Sequence, residues 1–223
     1  MNIAKHQDFF DPHTIKSRIH IIGCGATGST VAELLVRLGL TKITLWDFDT
    51  VCAHNIANQM FFQDDIGRSK VNALAGQLCL INDELEEDLI VYDEAYTTQS
   101  LSGYIFLAVD NIDTRRAIIE HNRTNPNIKA FIDFRLGLMD GQHYMALPDV
   151  EGDVERLLAT MNFTHAEAKA NTPLSACGTS LSVVPGIRLI CALGVGNLMN
   201  VMMNKPYKHI ITSDASTMFV DAF

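Results

Sequence analysis

The sequence predicts an α/β fold: a mostly parallel sheet with helices on both faces and an antiparallel extension at its C-terminal end. Three observations predict it. Apolar runs alternate with helical stripes from Arg18 to Asn122, the order of strands joined by crossover helices. Gly103-Tyr104-Ile105-Phe106-Leu107-Ala108-Val109 is a continuous apolar run, as expected of a central parallel strand buried on both faces. Beyond Asn127 the pattern changes, with one strand leading directly into the next around Asp140-Gly141, a dipeptide that favours hairpin turns.

Residues 1–17 form a polar arm whose apolar pair, Phe9-Phe10, docks on the core. Arg18–Ile22 reads as the first strand, Gly23–Gly28 as a glycine turn and Ser29–Leu38 as a helix, with Val31, Leu34, Leu35 and Leu38 on its buried stripe and Gly39 closing it. A second strand, Lys42–Trp46, ends in Asp47-Phe48-Asp49. The stretch Val51–Phe62 has neither helical nor strand period and reads as a partly buried loop rich in amides. A helix from Lys70 buries Val71, Leu74, Ala75 and Leu78. The acidic run Asp83–Asp88 reads as a solvated loop before a third strand, Leu89–Asp93.

After the central strand a helix runs to Asn122, with Asp110 or Asp113 as its capping acid. Strands follow at Asn127–Phe134 and Met139–Leu147. From Pro148 to Thr172 the chain turns polar, with a short helix at Glu151–Ala159, and the region 148–175 reads as a mobile crossing loop. An apolar helix, Pro185–Met203, and closing strands at His209–Thr212 and Thr217–Val220 complete a single domain over 1–223.

Composition narrows the function classes. A formal net charge of −9 argues against a nucleic-acid surface as the main activity, because neutralising a phosphate backbone takes clustered Lys and Arg. The five cysteines are odd in number and hold no C-x-x-C pair, which speaks for reduced thiols in a cytoplasm and against a disulfide framework or cysteine-rich zinc site. The longest apolar stretch, Leu181–Met203, is interrupted by Arg188, Asn197 and Asn200 and reads as a buried helix, with no membrane association expected.

The glycine turn carries the first chemical signal. Gly23, Gly25 and Gly28 stand between a strand and a helix, where they let the backbone pass close to a phosphate and the helix turns its unpaired N–H groups and positive dipole end toward the anion. An acid at the tip of the next strand, here Asp47, commonly accepts hydrogen bonds from a ribose. A turn that merely packs tightly is the alternative. Lys70 opens a helix whose dipole disfavours a cation there, a conflict that a bound polyphosphate would relieve. Asp110 ends the central strand, so it should share the crevice with the glycine turn and Asp47.

Five ordered pieces then resemble the ThiF/MoeB/HesA adenylyltransferases, relatives of the ubiquitin-activating enzymes, over essentially the whole length. They are Gly23-x-Gly25-x-x-Gly28, Asp47-x-Asp49-x-Val51, Asn55-Ile56-x-x-Gln59, Asp65-Ile66-Gly67-x-x-Lys70 and Asp110-Asn111-x-x-Thr114-Arg115. The resemblance implies a Rossmann-like fold and an enzyme that uses ATP and Mg²⁺ to adenylate the C-terminal carboxylate of a small ubiquitin-like protein or peptide, releasing pyrophosphate. It further implies a homodimer. Asp47 would bind the ribose, Asn55 and Lys70 the phosphates and Asp110 the metal, with Asp49 and Gln59 in the same nucleotide site.

Three departures stand out. Asn58 occupies the place where the family usually has Arg, no Arg precedes Arg18, and the paired zinc motifs are absent. Arg68, two residues before Lys70, is the candidate substitute for the missing cation. Cys177 falls where several relatives carry a thiol; a covalent nucleophile and a packed thiol are both open for it. Two other function classes also stay open: a nicotinamide-dependent oxidoreductase, which would share the glycine turn, and a non-catalytic partner that keeps the fold.

Overall fold

The computed structural model describes residues 1–170, 172–174 and 181–223. Its strands form one eight-stranded sheet in the order β3-β2-β1-β4-β5-β6-β7-β8. The parallel half comprises β1 (Ile19–Ile22), β2 (Ile43–Trp46), β3 (Ile90–Tyr92), β4 (Gly103–Leu107) and β5 (Ile128–Leu136), and β6 (Asp140–Ala146), β7 (Ile210–Asp214) and β8 (Phe219–Ala222) add antiparallel. The strand order reverses at β1, whose neighbours are β2 on one side and β4 on the other, so the crevice expected at a topological switch lies above β1 and β4.

Every residue of β1, β2 and β4 is buried, which is why they read as continuous apolar runs. One core lies between the sheet and α1 (Ala26–Arg37), α2 (Lys70–Ile81) and α6 (Val184–Met202); the other lies under α3 (Ile112–Asn122) and α4 (Asp153–Ala159). The arm docks through Ile3 and Phe10 and a 3-10 helix at Pro12–Thr14, but only one of the apolar pair is buried: Phe9 is 63% exposed. Although α6 has the length and apolarity of a membrane span, it packs against α1, β6 and β7.

Several expectations need correction. α1 begins at Ala26 rather than Ser29, so Gly28 lies inside the helix. Asp140-Gly141 is not the hairpin turn: both residues already pair in β6, Gly141 opposite Leu136, and the chain reverses at residues 137–139. A Cβ on Gly141 would come within 2.8 Å of Ile190, so close helix packing, not turn geometry, demands this glycine. In α2 Ala73 is buried and Ala75 only partly so. The loop at 51–62 contains a 3-10 helix, Ala53–Ala57, and the acidic run folds as another, Asp83–Glu87, around buried Leu85.

The capping acid is neither Asp110 nor Asp113. Asn111 caps α3, accepting from the N–H groups of Asp113 and Thr114. In the region read as a crossing loop, the short helix expected at Glu151–Ala159 is α4, and a second helix, α5 (His165–Ala170), follows it. α4 buries Val154 and Leu157, and Arg116 and Asp113 of α3 bind the backbone at Met161, Phe163 and His165. This side-chain-to-backbone docking leaves no hydrophobic periodicity, which is why the sequence pattern understated it.

Candidate nucleotide site

The three glycines of the turn do three different jobs. Gly23 sits at φ +97°, and a Cβ there would lie 2.7 Å from the Ala108 backbone, so this glycine lets β1 turn against the end of β4. A Cβ on Gly28 would lie 1.8 Å from the Gly23 carbonyl oxygen, so only glycine lets α1 close on β1. Around Gly25 nothing lies within 4 Å of an added Cβ. The backbone there borders open space, and no side chain caps α1, whose first N–H groups are directed toward that space.

Asp47, nearly buried at the end of β2, holds this turn in place. Its Oδ2 accepts from the Cys24 N–H at 2.6 Å and its Oδ1 from the Asp49 N–H at 2.8 Å. Each carboxylate oxygen keeps a further lone pair for a ligand hydroxyl. The Asp49 carboxylate pairs with the Lys70 ammonium at 2.8 Å, and the Asp49 carbonyl accepts from the Lys70 N–H. Lys70 is 7% exposed, so its ammonium is lodged between the tip of β2 and the first turn of α2. Lys70 also lies within electrostatic reach of the glycine turn: burial and the Asp47 charge push the Cys24 thiol well above its ordinary range, while Lys70 acts in the opposite direction.

Asn55 is buried, with Oδ1 accepting from the Cys52 N–H at 2.8 Å; its Nδ2 has no hydrogen-bond partner among the described residues. The Gln59 Oε1 is buried and likewise unpartnered there. Asp110 is exposed beyond β4, next to the Ala108–Val109 backbone that Gly23 touches, with no ion pair among the described residues. The ends of β1, β2 and β4 thus bring Gly23, Gly25, Gly28, Asp47, Asp49, Lys70 and Asp110 to one edge of the sheet.

Arg68 is not drawn in with them. Its guanidinium bonds Asp65 at 2.8 Å and runs back along α2 to Gly76, and the Asp65 carboxylate also accepts from Gln77 and the Phe62 N–H. This pairing accounts for Arg68 as a brace of the Asp65–Lys70 turn. Asn58 donates to the Ser182 hydroxyl at 2.9 Å, tying the amide-rich loop to the start of α6. Cys177 lies outside the described residues.

A buried network behind the site was not anticipated. Asp133, fully buried in β5, accepts from Arg115 at 2.6 Å and from Arg135 at 2.8 Å. Arg115 also donates to the carbonyls of Val109, at 2.6 Å, and Phe134, and so fixes the backbone just before Asp110. The available signal was an acid and a base, Asp133 and Arg135, following the apolar run Ala130–Ile132 in this strand.

Residues 13–219 match the ThiF family. The chain belongs to the ThiF family. Over 125 residues this ThiF-family chain is 32% identical to the tRNA threonylcarbamoyladenosine dehydratase of Escherichia coli K12, covering 53% of this chain and 45% of the relative. Over 134 residues it is 33% identical to ubiquitin-like modifier-activating enzyme 5 of Drosophila willistoni, covering 53% and 32%. It therefore spans less than half the length of these curated relatives. Among solved structures it resembles E. coli MccB with ATP, at a TM-score of 0.70 and 14% identity, over 95% of this chain and 65% of that one. PaaA aligns at a TM-score of 0.72 and 15% identity, over 99% and 68%. At such identities these two likenesses concern the fold.

Proposed function

We propose that this chain is an ATP-dependent adenylyltransferase that activates the C-terminal carboxylate of a small ubiquitin-like or sulfur-carrier protein, or of a peptide, as an acyl adenylate. In that reaction a carboxylate oxygen bonds to the α-phosphorus and pyrophosphate leaves. A carboxylate is a weak nucleophile, and two anions must approach each other, so charge neutralisation is needed more than a base. The observation that carries the proposal is Lys70, a buried ammonium at a helix N-terminus beside the glycine turn, with one carboxylate as its ion-pair partner among the described residues. A nicotinamide dinucleotide site is built from the glycine turn and the strand-end acid and leaves Lys70 unexplained.

The residues fit ATP. Gly25 borders open space at the uncapped end of α1, Lys70 supplies a cation, Asp47 has acceptor capacity for a ribose, and Asn55 keeps an unpaired amide donor. They also fit Mg²⁺, which is commonly held by one or two carboxylates together with substrate phosphates, and Asp110 presents a carboxylate at this edge with no ion pair among the described residues. Bound there, the metal would neutralise developing phosphate charge. Relatives named for activating a ubiquitin-like modifier, and MccB solved with ATP and with MccA, support this chemistry. A cytoplasmic setting and a homodimer belong to the same proposal; the free thiols Cys24, Cys52, Cys79 and Cys191 agree with the first.

A second reading, a partner subunit without activity, is favoured by one contact: Asn58, at the position of the family's arginine, is engaged with Ser182. ATP–pyrophosphate exchange with small carrier proteins ending in glycine decides between them. Exchange that appears with one carrier and disappears in Lys70→Ala supports adenylation. ATP binding without exchange across the carrier set supports the inactive partner.

A further inference from the structure

The sheet edge opposite the nucleotide site holds a second cleft, of about 410 Å³, at the amino ends of β1, β2, β4 and β5. Four cations line it, Lys16, Arg18, Lys42 and Lys129, and no acid does, although acids outnumber Lys and Arg by 26 to 17 in the chain. A cleft lined by one sign of charge focuses the field and concentrates counter-ions.

Its floor is built rather than incidental. The Arg18 guanidinium is fixed by the Ile43 carbonyl at 3.1 Å, the Thr44 hydroxyl at 3.3 Å and the Asp88 carbonyl at 2.9 Å. All three acceptors are neutral groups, and Arg18 makes no ion pair among the described residues. Gly103, at φ +76°, packs so closely that a Cβ would meet the Arg18 carbonyl oxygen at 2.1 Å, which sets the depth of the floor. By contrast, the ammonium groups of Lys16, Lys42 and Lys129 have no hydrogen bond or ion pair among the described residues. Three free donors thus surround a fixed fourth, and Ser102 and Asn127 add neutral polar groups.

We propose that this cleft binds a compact polyphosphate, inorganic or carried by a nucleoside. The volume suits a small molecule. Several charges on one short ligand match four cations converging from three strand ends, whereas four cations are too few for an extended nucleic-acid backbone. The site is distinct from the glycine turn, since a strand of four or five residues, roughly 15 Å, separates the two edges. The inference stands whether or not the adenylation reading holds.

Lysine acetylation footprinting by mass spectrometry on the full chain tests it, with inorganic tripolyphosphate as probe and ATP in a second arm. Tripolyphosphate should protect Lys16, Lys42 and Lys129 over Lys5, Lys169 and Lys205, and protection by ATP as well would extend the ligand to nucleotides. Lys70 is buried and ion-paired and is no acetylation reporter, so the other site is followed by calorimetric titration with ATP. In the double variant Lys42→Glu/Lys129→Glu, tripolyphosphate affinity should fall by about tenfold or more, while ATP binding at the glycine turn persists. Lys42→Gln/Lys129→Gln, which removes charge without reversing it, provides a folding control by its melting temperature and should weaken binding less. No protection of Lys16, Lys42 and Lys129, uniform protection of all lysines, or affinity unchanged in the Glu variant would overturn the proposal.

Discussion

Replacing Gly25 and Gly28 by alanine, one at a time, separates a phosphate-binding turn from a turn that only packs. At Gly28 the added methyl would fall 1.8 Å from the Gly23 carbonyl oxygen, inside van der Waals contact with backbone that cannot step aside without moving α1 off β1. Helix propensity favours alanine by about 1 kcal/mol, but overpacking of this kind costs roughly 1–3 kcal/mol and can cost more. A contact this short belongs at the upper end of that range, so the expected net loss is about 2 kcal/mol or more. At Gly25 the methyl meets nothing within 4 Å, but ψ is −148°, outside the regions that a residue with a Cβ favours. The cost is then that of a poorer N-cap plus a local backbone adjustment, about 1–2 kcal/mol. ATP affinity should show the opposite order of sensitivity to contact: Gly25→Ala places its methyl in the open space beside the α1 N–H groups and should weaken ATP by about tenfold or more, the equivalent of one lost charge-assisted hydrogen bond. Urea unfolding gives the stability, through a shifted midpoint with unchanged slope, and calorimetric titration gives the affinity. Wild-type ATP affinity in a folded Gly25→Ala protein would refute the assignment of that space to a phosphate.

Asp133→Asn should cost about 3–5 kcal/mol, because it leaves two guanidinium groups without their carboxylate in a buried site; a urea midpoint close to wild type would contradict this. The histidines His20 and His143 are both pushed down to about 4, chiefly by burial, with Arg18 adding to the effect at His20. The unfolded chain therefore takes up protons that the folded chain refuses, so stability should be full above about pH 6.5 and fall as pH drops toward 4, by about 1.4 kcal/mol per pH unit for each histidine. Equal urea midpoints at pH 7 and pH 5 would contradict that sign. Light scattering should find a homodimer, and a monomer at micromolar concentration would remove that part of the proposal.

The parallel half of the sheet was legible because burial on both faces writes itself as uninterrupted apolar strands, and the glycine turn because two close backbone approaches, at Gly23 and Gly28, need residues without Cβ and a third glycine, Gly25, borders open space. The site residues Asp47, Lys70 and Asp110 could be named because strand ends and helix starts locate them. What sequence could not supply was pairing. Nothing in the local pattern distinguishes Arg68 reaching a phosphate from Arg68 braced by Asp65, or shows that Asn111 rather than Asp110 caps α3. α5 and its approach were missed for a related reason: Asp113 and Arg116 hold backbone groups there, and such bonds carry no periodicity.

Nucleotide choice tests the central claim most directly. Thermal stability measured with ATP and Mg²⁺, ATP alone, and NAD should rise most with ATP and Mg²⁺, by about 2.7 kcal/mol at a hundredfold excess over Kd. NAD should leave it unchanged, and Asp110→Ala should abolish the increment due to Mg²⁺ while keeping that due to ATP. Stabilisation by NAD with none by ATP would contradict the adenylation account.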